Sequence, residues 1–121
     1  MKKAPAALVE LFAEVAPGAP AERRTMFGYP CSFLNGNLFM GLHGDRMILR
    51  LPGGQRDELI RTQGARVFEP MPGRPMREYV VVPKVILEDQ RVLERWIERS
   101  RSFAASLKPK PKKAKKAAKR S

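Results

Sequence analysis

Leu8, Leu11, Phe12 and Val15 recur at helical spacing near the start of the chain, with Glu10 and Glu14 on other faces. The pattern predicts an amphipathic helix, ended by Pro17-Gly18. A loop containing Arg23 and Arg24 follows, and then the period changes. Met26–Leu34 (MFGYPCSFL) is aromatic and apolar and runs directly into Asn35-Gly36. That pair favours the positive φ angles of a type I′ turn, so a hairpin is expected there. Asn37–Leu42 is the returning strand, and His43-Gly44-Asp45 leads into a third, Arg46–Leu51. The three strands read as an antiparallel meander. Pro30 should confine the first of them to an edge, or mark a bulge, because proline donates nothing to a ladder.

Pro52-Gly53-Gly54 breaks the sheet and opens a short helix, Gln55–Gln63, with Gly64 as its C-terminal cap. Ala65–Glu69 reads as another strand. Residues 70–75 (PMPGRP) read as turn or loop, since their prolines exclude regular structure. Glu78–Val82 (EYVVV) is the clearest buried strand. The final helix, Glu88–Leu107, places Val92, Leu93, Trp96, Ile97, Phe103, Ala104 and Leu107 along one broad face. Glu88 and Asp89 near its start and Arg99 and Arg101 later suit the helix dipole. The expected fold is a single α+β domain over residues 1–107. It has an antiparallel sheet of about five strands with flanking helices, in the order α-β-β-β-α-β-β-α.

Composition narrows the function class. At 43% hydrophobic residues in 121, the chain can build a core of its own. No uncharged apolar run approaches the roughly 18 residues of a membrane span. Lys2-Lys3, Ala4–Val9 and Ala19-Pro20-Ala21 imitate a secretory signal, but Glu10 and Glu14 interrupt what would be its hydrophobic centre. Cys31, the only cysteine, excludes an internal disulfide and any cysteine-based zinc finger. His43, the only histidine, leaves little room for metal sites or acid–base pairs. These counts point to a cytoplasmic, non-enzymatic domain with no cofactor, no metal and an anionic partner.

The net charge of +12 is unevenly spread. Residues 108–121 hold Lys108, Lys110, Lys112, Lys113, Lys115, Lys116, Lys119 and Arg120 and no acidic residue, which leaves +4 for residues 1–107. With only Lys, Arg, Pro, Ala and Ser, this segment has nothing large to bury, so a disordered basic tail is expected.

Arg24-Thr25-Met26-Phe27-Gly28-Tyr29, Asn35-Gly36-Asn37-Leu38-Phe39 and Arg46–Leu51 stand in an order that resembles the N-terminal domain of the TfoX/Sxy family. Phe68-Glu69-Pro70-Met71, Glu78–Pro83 and Leu93–Trp96 extend the resemblance over roughly Pro5–Ala105. It implies a single α+β domain similar to the MmcQ/YjbR-like group and a nucleic-acid-linked regulatory role. The family's founding members regulate natural competence with a transcriptional activator and carry a second, C-terminal domain. Here a basic tail stands in that place, so competence regulation itself is not carried over. The matching residues are structural: Gly28 and Gly36 as turn glycines, and Met26, Phe27, Phe39, Leu49 and Tyr79 as apolar strand positions.

The tail is the leading candidate site. Lysines on an extended chain track phosphates and release counterions, giving salt-sensitive binding without sequence preference. The alternative is a tail that only solubilises. It has no aromatic residue to stack on bases. A second basic set, Arg23, Arg24, Arg50, Arg74 and Arg77, could contact phosphates, or could be surface arginines paired with Glu69 or Glu78. The sheet or the Met71–Met76 loop could instead recruit a transcription factor or polymerase. His43 and Asp45 sit in a tight turn without a placed nucleophile, and Cys31 reads as a small buried residue. Pro52-Gly53-Gly54 lacks the lysine of a phosphate loop and reads as a turn. An enzyme would need a pocket gathering His43, Cys31 or a carboxylate pair. The number of subunits cannot be read from the sequence.

Overall fold

The computed structural model describes residues 3–110. Helix α1, Ala6–Val15, buries Leu8, Phe12 and Val15, the face its spacing predicts. Strands β1 (Glu22–Met26), β2 (Tyr29–Leu34), β3 (Asn37–His43) and β4 (Arg46–Arg50) follow. Helix α2, Gly53–Gln63, is capped by Gly64 and leads into β5 (Arg66–Met71) and β6 (Arg74–Val81). The short α3, Lys84–Leu87, precedes the long α4, Gln90–Ser106. All neighbouring strands are antiparallel, in the order β1-β2-β3-β4-β6-β5. The α+β class and the central meander are as expected, and the sheet has six strands.

The sixth strand, β1, forms from the expected loop before the meander together with Met26. Phe27 (φ +55°) and Gly28 (φ +82°) turn the chain, so Arg23 and Arg24 lie on β1 instead of in a loop. Phenylalanine is an unusual residue for that half of the turn, and Glu22–Met26 is mostly polar and exposed, so neither feature announces a hairpin. β2 is therefore interior, and Pro30 is not on an edge strand. Pro30 pairs with Thr25 on the β1 side, while the β3 ladder begins only at Cys31↔Gly41. The bulge lies further along. Phe33 faces Leu38 and Ser32 faces Met40, which leaves Phe39 as the extra residue of β3.

Two more expectations change in detail. Residues 70–75 are not one loop: β5 reaches Met71 and β6 starts at Arg74, because β5 is the outer strand and the β4 ladder stops at Tyr79. The final helix starts at Gln90 instead of Glu88, because Asp89 is its N-cap: its extended backbone places the carboxylate to accept from the Val92 amide at 3.3 Å.

α4 packs across β3, β4 and β2, beside α1. Its buried stripe is Leu93, Trp96, Ile97, Ser100 and Ala104. Ser100 is fully buried and donates its hydroxyl to the Phe39 carbonyl at 2.7 Å. It thus satisfies a backbone acceptor at the bulge, where the ladder is disrupted. Ser100→Ala should leave that acceptor unpaired and lower stability by on the order of 1–2 kcal/mol. Urea unfolding with an unchanged m-value checks it.

Candidate functional site

The tail's root is built into the domain. Asn35 (φ +52°) and Gly36 (φ +82°) form the expected tight turn between β2 and β3. The Lys110 backbone amide donates to the Asn35 carbonyl at 2.8 Å, and the side-chain amide of buried Asn37 donates to the Lys108 carbonyl at 3.2 Å. Residues 108–110 therefore lie as a strap across the hairpin, with both lysine side chains exposed. Lys108 and Lys110, the first two cations of the expected tail, are thus tied to the domain by their backbones. Backbone bonds do what the side chains of this segment cannot. Lys112, Lys113, Lys115, Lys116, Lys119 and Arg120 lie outside the described residues.

The five body arginines stand on three strands, β1, β4 and β6. Arg23 and Arg24 are adjacent on β1, so they point to opposite faces. Arg23 lies 6.0 Å from the Phe12 ring centre, and Arg24 lies 4.5 Å from that of Phe33 while bonding Glu22 at 2.7 Å. Arg50, on β4, is held by Glu78 at 2.7 Å and leans on Tyr79 and Phe103. Arg74 and Arg77 are exposed on β6, three strands from β2 in the sheet. Glu69 is no arginine partner here; its carboxylate accepts from the Gly73 amide at 2.6 Å.

The sheet brings together a different set of residues. Along β4, Met47 and Leu49 belong to the main core beneath the helices, while Ile48 belongs to a second cluster with Phe68 and Tyr79. Side chains alternate along a strand, so that second cluster lies on the opposite face. A flat six-stranded sheet would put its outer strands roughly 24 Å apart. Here Met26 of β1 and Phe68 of β5 line one cavity of about 160 Å³, so the sheet is strongly coiled. Tyr29, Cys31, Gly41, His43, Ile48 and Met76 complete most of its wall. Gly41 forms part of the floor, where a Cβ would come within 3.1 Å of the Cys31 Cβ.

His43 is not merely a turn residue. Its ring lies 5.5 Å from that of Tyr29 and 5.2 Å from that of Phe68, the latter edge to face. Cys31 is buried as expected, and burial pushes its thiol pKa up against the smaller opposing effect of Arg24. The thiol donates to the Arg24 carbonyl at 3.4 Å. His43 and Cys31 thus share a cavity, but no carboxylate lines it, and the shifted thiol disfavours the thiolate a nucleophile needs. Asp45 is exposed on the turn. Among the described residues no cluster of His, Cys, Asp and Glu has metal-binding geometry, and no helix is long and apolar enough to cross a membrane.

The family model of the TfoX N-terminal domain matches residues 10–104. The chain belongs to the TfoX N-terminal domain family. The match runs from within α1 to near the end of α4, so it spans all six strands of the sheet. Searches of curated proteins and of solved structures returned no match.

The cavity is what the sequence reading missed. Its signal was present as consecutive apolar residues in Met47-Ile48-Leu49 and Tyr79–Val82, where a sheet covered on one face alternates. Of the apolar positions that carry the family resemblance, Met26 and Phe27 are exposed, Phe27 by 74%.

Proposed function

We propose that this TfoX N-terminal domain protein is a non-enzymatic, cytoplasmic regulatory protein that associates with DNA or RNA through its basic tail, without sequence preference. The strap carries the reading. Lys108–Lys110 are held on the Asn35-Gly36-Asn37 turn, so the cationic segment leaves the domain from a defined place. Two of the five body arginines, Arg24 and Arg50, are paired with Glu22 and Glu78 and so offer phosphates less free charge. Affinity therefore comes from the tail's charge, as counterion release.

The test compares the full chain with a full-length variant in which Lys112, Lys113, Lys115, Lys116, Lys119 and Arg120 are glutamine. Titration of duplex DNA and of RNA over a salt series should give a log–log slope near −7 for eight contacts, and about 5 less steep in the variant. Equal slopes would remove the tail from the account.

A second reading is an adaptor for a transcription factor or polymerase, with the tail merely solubilising. Met71 favours it, standing 59% exposed at the β5–β6 turn. Capture of such a partner that survives nuclease treatment and is lost in Met71→Ser would support this reading over the first.

A further inference from the structure

We propose that the cavity on the helix-free face binds a single-ring aromatic molecule carrying one hydrogen-bonding substituent. The ring packs against Tyr29 and Phe68, and the substituent meets His43. Size is the first argument. Apolar cavities near 150 Å³ accommodate one benzene ring, and this one measures about 160 Å³. The lining is the second. Tyr29, His43 and Phe68 form a chain of tilted and edge-on contacts that a further ring extends, and Met76 adapts to its outline. His43 supplies the polar point: neither of its ring nitrogens has a hydrogen-bond partner among the described residues.

The cavity mouth adds an independent observation. Phe27 lines both the cavity and the neighbouring groove beside Lys3, Ala4 and Val9. It holds φ +55° and is mostly exposed, a strained and apolar choice where asparagine or glycine would turn freely. Strain of this kind concentrates at ligand clamps. At the floor, Gly41 keeps the Cys31 side free, because a side chain there would press on Cys31.

The inference stands apart from the tail reading and is tested on the full chain with phenol, toluene and N-acetyl-tyrosinamide as probes. Titrations followed by NMR should show saturable phenol binding with shifts at Phe68, Gly41 and the His43 imidazole, and weaker toluene binding. His43→Phe keeps a ring in place and should bring phenol down to the affinity of toluene. Ile48→Trp should fill the cavity and abolish both; Met76→Trp, at a half-buried position, serves the same end if the first variant does not fold. No saturable phenol binding would overturn the proposal. So would tighter binding of N-acetyl-tyrosinamide than of phenol, which would indicate a partner's side chain. Dimerisation of the free protein abolished by Phe27→Ser would also overturn it, since a second copy would then fill the cavity.

Discussion

Phe39→Ala is expected to lose about 3–5 kcal/mol of folding stability, a large share of the 5–15 kcal/mol typical of a domain. Phe39 is 0% exposed and belongs to the cluster that α4, α1 and the sheet build together. It is also the bulged residue of β3, so it and Met40 both reach the main core. Truncation there opens a cavity that neighbours fixed on three elements cannot close, and the loss exceeds the transfer free energy of the ring. Phe27→Ala is the matched control. That ring is 74% exposed, so its removal should change stability by less than about 0.5 kcal/mol. Urea unfolding of both variants measures the contrast. Similar losses would mean that Phe27 is buried in solution.

Gly36→Ala is expected to cost about 2–3 kcal/mol and to release the strap. Two effects act at one position. A left-handed conformation costs a residue with a Cβ roughly 1–2 kcal/mol, and Gly36 holds φ +82°. The added Cβ would also overlap the Lys110 carbonyl oxygen, so the strap must move. The Lys110-to-Asn35 hydrogen bond is then lost, a further contribution of about 0.5–1.5 kcal/mol. Hydrogen exchange separates the two effects. Loss of protection at the Lys110 amide, with the Phe39 and Leu49 amides still protected, is the expected pattern. Retained protection at Lys110 would mean that the strap does not rest on Gly36.

Much of the fold was legible because local rules and tertiary packing agreed. Leu8, Phe12 and Val15 face the core as their spacing requires, and Asn35-Gly36 makes its turn. The errors fall where a residue breaks its own local preference. Phe27 occupies a conformation better suited to glycine, so β1 was invisible, and Pro70 and Pro75 lie in strands. Ser100 falls in the helix stripe, where no local rule calls for a polar residue. Only the distant Phe39 carbonyl explains it.

The candidate site divided in the same way. Eight cations within residues 108–121 are a property of composition and needed no structure to be seen. Where Arg23, Arg24, Arg50, Arg74 and Arg77 stand is a question of sheet order, and the structure puts them on β1, β4 and β6.

By itself, the sequence determined the α+β class, the helix faces, the central hairpin and the family, because periodicity and turn chemistry act over a few neighbouring residues. It also determined where the charge lies. Tertiary structure alone decided that the sheet coils until Met26 and Phe68 line one cavity, and that His43 stands between Tyr29 and Phe68. It also decided that the tail's root rests on Gly36. The coil and the strap depend on pairings between residues tens of positions apart, which no local pattern encodes.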